Sequence, residues 1–383
     1  MTRRLVVITE IIAPYRIPVF NALARRKEID LRVIFLSESD PSLRQWRVYK
    51  EEIHFRYEVL PSWRRHFGRY NLLLNRGMSS ALNQVKSDVV LCGGYNYPAS
   101  WQAARWAESR RVPFLLWSES TAADSRRRHW PVELMKARFL RLCRGFVVPG
   151  RSAFDYLRGL GTAEKMIFLA PNAVDTSLFS KLAAETRRGQ SAGRASPNLP
   201  SRYFLFVGRL VEAKGVFDLA EAYAQVREEV RTRVGLVFAG EGDAGAELMR
   251  VAERVRPGDV KFLGFVHREQ LPELYALADA LIFPTHSDTW GLVVNEAMAC
   301  GLPVVTTSVA GCAADLVQDE WNGFVVPPKN APQLAAAMTR LATDSESRRK
   351  MGVNSWDRVQ AYSPEAWADG IVEAVQFFCA GKG

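Results

Sequence analysis

The sequence predicts an α/β protein of two domains, each a parallel sheet covered by helices on both faces. Three observations predict it. Short apolar runs alternate with stretches of helical spacing along nearly the whole chain. The alternation falls into two blocks separated by the polar segment 181–200. And 383 residues, 48% hydrophobic and 24% charged, suffice for two cores of ordinary composition.

In the first block, residues 5–9, 31–36, 88–92, 113–117 and 146–148 are strand candidates, short and apolar enough to be buried on both faces. Between them, 17–26, 99–109 and 152–157 place apolar residues at helical spacing. The segment 181–200 holds Gly189-Gln190-Ser191-Ala192-Gly193 and Ser196-Pro197-Asn198-Leu199-Pro200 and reads as a linker. The second block repeats the pattern, with strands at 203–207, 235–239, 260–263, 280–283 and 304–306. At the end Ser363 is an N-cap and Pro364 the first position of a helix over 365–378, with Ala366, Ile371, Ala374, Val375 and Phe378 as its buried stripe. The domains are then 1–180 and 201–363, Rossmann-like and facing each other across a cleft.

The charge is uneven. Residues 1–180 carry 29 Lys and Arg against 16 Asp and Glu, a net +13 within a total of +10. Such asymmetry points to an anionic partner for the first half: nucleic acid, a membrane surface or a phosphorylated acceptor. A generic basic surface explains it equally. No reading helix or RNA-binding motif is present, which speaks against nucleic acid. No apolar run approaches the ~20 residues of a membrane span. The start, Arg3-Arg4 before an apolar run, resembles a leader, but Glu10, Pro14 and Arg16 follow without a small-residue cleavage site, so a first strand is expected. Five scattered cysteines match neither a disulfide framework nor a zinc site; a reducing cytosol is the expected location.

Open parallel sheets bind ligands beyond the carboxyl ends of their strands, so the chemistry is sought there. After 203–207 comes Gly208-Arg209-Leu210-Val211-Glu212-Ala213-Lys214-Gly215, which puts two cations where a strand gives way to a helix and suits a diphosphate. A solvated basic loop reads the same way. After 235–239, Gly240-Glu241-Gly242-Asp243-Ala244-Gly245 matches G-x-G-x-x-G and raises a nicotinamide-dinucleotide enzyme as a rival. That fingerprint wants an acid at the end of the next strand, and Asp259 stands before it instead. After 280–283, Pro284-Thr285-His286-Ser287-Asp288-Thr289-Trp290-Gly291 leads into a helix. Asp288 falls before its positive end, and Glu296 about one and a half turns inside. Carboxylates on either side of an anion site suit polyol recognition, although acids at this spacing are common.

In order, the chain shows Gly208-Arg209 with Lys214-Gly215, Gly240-Glu241-Gly242, Phe262-Leu263-Gly264-Phe265-Val266 and Leu274-Tyr275 with Ala278-Asp279. It continues with Glu296-Ala297-Met298-Ala299-Cys300-Gly301-Leu302-Pro303 and Asn322-Gly323-Phe324-Val325-Val326-Pro327. The series resembles the family-4 retaining glycosyltransferases of the GT-B fold and covers the second domain almost entirely. The first domain matches more thinly, through Val148-Pro149-Gly150, Tyr156-Leu157, Gly161 and Pro171-Asn172-Ala173-Val174-Asp175.

The resemblance implies a nucleotide-sugar donor, with UDP the family's usual base, and a saccharide or lipid-linked acceptor. It implies that Arg209 and Lys214 grip the diphosphate with help from Gly208, Gly240 and Gly242. Phe265, Val266 and His267 would border the base, and Glu296 would take the ribose hydroxyls. Thr289, Trp290 and Gly291 would flank the donor, while Leu292 and Val293 offer amides to phosphate. Asp288 stands where the family's first glutamate of E-x7-E faces the donor sugar, one methylene shorter. The family's glycine-rich loop after the first strand is replaced by a segment with Tyr15 and Arg16, assigned to the acceptor side. Where a family histidine faces the donor sugar, Glu119 follows Trp117-Ser118; it also reads as an N-cap or salt-bridge partner, and His129 is a weaker candidate. No cofactor or metal is expected, since the chain has no Asp-x-Asp. The resemblance also implies that 364–383 crosses back to the first domain. A nucleotide-sugar binder without turnover stays open beside the enzyme.

Finally, 44–76 mixes Arg44, Arg47, Arg56, Arg64, Arg65, Arg69 and Arg76 with Trp46, Trp63 and Tyr70, and Arg126-Arg127-Arg128-His129-Trp130 adds a second cluster. Such faces suit an anionic membrane surface, which would make the protein peripheral at the inner leaflet. Pairing of these arginines with Glu51, Glu52 and Glu58 is the plainer alternative.

Overall fold

The computed structural model describes residues 2–40, 47–67, 70–123, 130–191, 199–255 and 258–380. It has two units. The first takes the chain through Val174, apart from a short stretch around Thr121, together with the chain from Ser363 onward; the second is Asp175–Tyr362 with that stretch.

The first unit contains β1 (Arg3–Thr9), β2 (Ile29–Phe35), β3 (Arg56–Val59), β4 (Ser62–Phe67), β5 (Tyr70–Asn75), β6 (Val89–Cys92), β7 (Phe114–Trp117), β8 (Gly145–Val148) and β9 (Ile167–Leu169). Seven of these form one sheet in the order β3-β2-β1-β6-β7-β8-β9, with every pairing parallel. The central strands are apolar throughout because helices cover both faces: Leu5, Val6 and Val7 are fully buried, as are Val89 and Val90. β4 and β5 form a separate antiparallel hairpin where the sequence shows only a basic-aromatic stretch.

The terminal helix Pro364–Cys379 belongs to this unit. The Ser363 hydroxyl accepts from the Ala366 amide at 3.2 Å, and Pro364 occupies the first turn, as expected. Ile371, Ala374 and Val375 are buried, whereas Ala366 and Phe378 are only partly so. The anchor is Trp367, absent from the expected stripe. It is fully buried, edge-on to Phe20 at 5.7 Å and 5.1 Å from the Trp117 ring.

The second unit contains β10 (Tyr203–Val207), β11 (Gly235–Ala239), β12 (Val260–Phe262), β13 (Ala280–Phe283), β14 (Val304–Thr307) and β15 (Gly323–Val326), in the parallel order β12-β11-β10-β13-β14-β15. In both sheets the order reverses beside the first strand, between β1 and β6 and between β10 and β13. A doubly wound sheet opens a crevice for ligands at such a reversal.

The segment 181–200 departs from the expected linker. The helix Thr176–Ser191 fills its first half, capped by the Asp175 carboxylate, which accepts from Leu178 N at 2.9 Å. Arg187 on this helix donates to the carbonyls of Ala276 and Cys300 at 3.1 and 2.6 Å, which ties it to the second unit. The chain thus passes between units at Val174–Asp175, before residue 180. Gly193 and Ser196–Asn198 lie outside the described residues.

Candidate functional site

The loops after β10 and β13 meet at the strand-order reversal of the second unit. Glu212–Lys214 makes one tight turn before the helix Val216–Gln225. The Lys214 ammonium is in contact with one oxygen of Asp288, whose other oxygen accepts from Trp290 N at 3.1 Å. His286 N and the Thr285 hydroxyl both donate to the Ala213 carbonyl, at 2.9 and 3.2 Å. The His286 imidazole lies 2.6 Å from Asp218, in the first turn of the helix after Lys214. Gly215 lets the loops touch: a Cβ there would stand 1.9 Å from the Pro284 carbonyl oxygen. The two loops therefore act as one rigid rim. Arg209 stands exposed on it, with no side-chain hydrogen bond or ion pair among the described residues.

Behind Gly291 the helix Leu292–Ala299 begins, and the amides of Leu292 and Val293 have no intrahelical acceptor available. Trp290 differs from its expected place at the donor. Its ring is 3% exposed, and its indole N–H donates to Asn295 at 2.8 Å, so it anchors the helix start from within. Thr289 is partly buried on the preceding turn. Glu296 is partly buried and accepts from the Tyr275 hydroxyl at 2.7 Å. Burial pushes its carboxyl up to about 7, against the Tyr275 hydrogen bond and the charge of Arg268.

The segments after β11 and β12 close the other side. Gly240 N donates to Gly264 O at 2.7 Å, and the Glu241 carboxylate accepts from Phe265 N at 3.2 Å. Phe265 and Val266 are partly buried, and the exposed His267 meets the Phe265 ring edge-on at 5.1 Å. Gly240 is required by packing: a Cβ would fall 1.9 Å from the Gly208 carbonyl oxygen. The glycine pattern there is thus explained by loop against loop, Gly242 likewise lying on Leu210. Asp259 sits in the turn before β12, as the sequence indicated, and gives no ribose ligand at a strand end. The dinucleotide rival has no support in this geometry.

In the first unit the residues assigned to the acceptor side form a closed cluster. Arg16 donates to Glu119 at 2.6 Å and lies 3.8 Å over the Trp117 ring. Asn172 donates to the same Glu119 oxygen at 3.2 Å, and Tyr15 lies 5.4 Å from the Arg16 guanidinium. Burial works to discharge Arg16, but the charge of Glu119 and the contact with Tyr15 outweigh it and hold the group above its usual range. Of the roles open to Glu119, the structure shows the salt bridge.

The basic stretch 44–76 is largely paired where described. Arg47 bonds Glu51 at 2.6 Å, Arg56 lies 3.6 Å from Asp30, and Arg64 contacts Asp40 and Glu10. Trp63 is half exposed on the hairpin. Arg44, Trp46, Arg69, Arg126-Arg127-Arg128 and His129 lie outside the described residues. Among the described residues no cluster of three or more His, Cys, Asp or Glu could hold a metal ion. No described helix is long and apolar enough to cross a membrane. None of the five cysteines is joined in a disulfide.

Sequence reasoning did not single out Asp218, Tyr275, Arg268 or Asn172. Each acts through a partner at least 21 positions away in the chain, and only Tyr275 and Asn172 stood inside a quoted motif.

Residues 192–357 match the family model described as glycosyl transferases group 1, and residues 20–178 match glycosyltransferase family 4. An uncharacterized glycosyltransferase of Methanocaldococcus jannaschii is 34% identical over 46% of this chain and 44% of its own. A D-inositol 3-phosphate glycosyltransferase of Kineococcus radiotolerans is 30% identical over 58% and 55%. The chain spans about half the length of the curated relatives it matches. Among solved structures, Anabaena HepE in complex with UDP superimposes with a TM-score of 0.76 at 19% identity, covering 98% of this chain and all of that one. Sucrose-phosphate synthase from Thermosynechococcus elongatus gives 0.74 at 21%, over 99% and 100%. Two α/β units of this order, matched over their full length by such structures, define the GT-B class. The chain belongs to the family-4 glycosyltransferases.

Proposed function

We propose that the protein moves a sugar from a UDP-sugar to a saccharide or lipid-linked saccharide, with retention of anomeric configuration and without a metal. One observation carries the reading: the reversal point of the second sheet gathers Arg209, Lys214 and the open amides of Leu292 and Val293 on one rigid rim. Cations and fixed dipoles aimed at a departing diphosphate stabilise the charge it develops, without reorganising as the bond breaks. The bond from the anomeric carbon to the phosphate oxygen breaks while the acceptor oxygen attacks from the same face. The acceptor's proton passes to the departing phosphate oxygen, so no strong protein base is needed. Asp288, with both oxygens engaged, holds Lys214 at the diphosphate instead of reaching the donor sugar. Glu296, once ionised, accepts from the ribose hydroxyls. The preference for UDP draws support from the UDP complex of the structural neighbour.

A thermal-shift panel of UDP-, GDP- and ADP-sugars tests the donor, since a ligand bound only by the folded state raises the melting temperature. UDP-sugars should give the largest shift. An equal response to all three, or to none, would remove the donor assignment. Activity that disappears with EDTA and returns with magnesium would contradict the metal-free scheme.

A further inference from the structure

The second unit has a cavity of about 580 Å³ at the amino ends of β13 and β14. Ala278 and Asp279 on its wall lead into β13, and Leu302 and Pro303 lead into β14. The strands run parallel, so this is the opposite end of the sheet from the rim that carries Lys214 and Asp288. Three arginines line the cavity: Arg187 from the helix Thr176–Ser191, and Arg348 and Arg349 from the helix Ser345–Val359. The acids on the wall are Asp279 and Glu346. Asp279 is already claimed, since Arg202 donates to it from two nitrogens at 3.0 and 2.7 Å and Arg348 lies 3.6 Å away. Glu346 is exposed, and so is Arg349, without an ion pair among the described residues.

A guanidinium that loses water normally gains a carboxylate in exchange. Among the described arginines, Arg4 and Arg16, each paired with a carboxylate, stand above the usual range. Arg187 and Arg348 are the two that stand below it, and both line this cavity. Arg187 keeps an exposed surface, yet loss of water lowers its guanidinium, which donates to the neutral carbonyls of Ala276 and Cys300. For Arg348 burial acts first and the charge of Arg202 adds to it, against the attraction of Asp279 and Asp344. Positive charge is therefore gathered around an open space with too little negative charge to balance it.

We propose that the cavity binds a phosphate-bearing small molecule, with Arg187, Arg348 and Arg349 meeting the phosphate oxygens. Guanidinium forks match phosphate oxygens in pairs. Cations arriving from two helices suit a tetrahedral anion, whose oxygens point several ways, better than a planar carboxylate. The volume lies in the range of small-molecule sites, and Ala276, Leu302 and Pro303 offer an apolar wall to the rest of the ligand. A sugar phosphate and inorganic phosphate share this chemistry. The site is separate from the donor rim and does not depend on the donor assignment.

Calorimetric titration of the full chain tests the proposal without reading turnover. The parent carries Arg209→Ala and Lys214→Ala, which removes the cations of the donor rim and leaves this cavity intact. Inorganic phosphate and glucose 1-phosphate are the probes, each taken to millimolar concentration. At least one should bind and raise the melting temperature. Adding Arg349→Gln should weaken that binding about tenfold or more, as for one lost hydrogen bond to a charged group. Arg349 is exposed, so this variant should melt with its parent in the absence of probe. Absence of both heat and melting shift with either probe, or an Arg349→Gln chain that binds as tightly as its parent, overturns the proposal. So does binding that wild type shows and the Arg209→Ala, Lys214→Ala parent has lost, since the probe then sits at the donor rim. Tighter binding of glucose 1-phosphate would assign the site to a phosphorylated sugar, and equal affinity would assign it to the phosphate group alone.

Discussion

The reversal points of the two sheets have the same topology and opposite electrostatics. At β10 and β13 the chain leaves Arg209 open, sets Lys214 against Asp288, and adds free amides at the start of Leu292–Ala299. Beyond the ends of β1 and β7, the latter one strand past the reversal between β1 and β6, it packs partly buried Arg16 over Trp117, pairs it with Glu119 and fastens Glu119 with Asn172. One site keeps the positive charge of Arg209 available; the other pairs its charges internally. The sheet order decides where a ligand sits, and the pairing of charges decides which kind. The open positive charge of the first site suits an anion, and the paired charge of the second does not.

The comparison can be broken most sharply through the terminal helix. Trp367 packs on Trp117, which in turn carries Arg16, so the closed pair depends on a residue from the far end of the chain. Trp367→Ala should cost about 3–5 kcal/mol. Urea unfolding of the variant should show a lowered midpoint, and deletion of 364–383 should lower it further; an unchanged midpoint would mean the helix contributes no packing.

Next in size is the open site. Arg209→Ala or Lys214→Ala should cut turnover about 10²-fold or more, as expected for removing one preorganised donor to a developing anion. Either variant with near-wild-type rates would take that residue out of the mechanism.

A smaller effect distinguishes the sites by pH. The Glu296 carboxyl is raised from 4.5 to about 7, so the folded state holds a proton that the unfolded chain has lost between those values. Its contribution to stability is complete below about 4.5 and is lost as pH rises through about 7. Donor affinity should run the other way, strengthening about tenfold from pH 6 to 8 as the ribose-binding carboxylate ionises. Calorimetric titration with UDP should show that rise in wild type and a flat profile in Glu296→Gln; a rise retained in the variant would assign the dependence to another group.

The smallest effect concerns the closed pair. A double-mutant cycle of Arg16→Met and Glu119→Gln should give a coupling of about 1 kcal/mol in unfolding free energy, since both groups are partly shielded. Additivity of the two changes would show that the pair adds nothing beyond its separate parts, and the contrast between the sites would then rest on Arg209 alone.

The sequence by itself determined what repeats and what is local. Apolar runs buried on both faces located the central strands within a residue or two. Ser363-Pro364 fixed the last helix, and the segment before Gly291 placed Asp288 and the helix start correctly, because caps and strand-to-helix turns are written in neighbouring residues. It did not determine β3, β9 or β15: the first two are sheet edges, partly polar or three residues long, and their pairing is supplied by the strand alongside. Nor did it show that Asp288 belongs to Lys214, Glu119 to Arg16, or Trp367 to Trp117, pairs separated by 74, 103 and 250 positions. Periodicity and capping act over a few residues, whereas the charge balance of a site and the gathering of Arg187 with Arg348 depend on what the fold packs beside each side chain. Only the tertiary structure decided those.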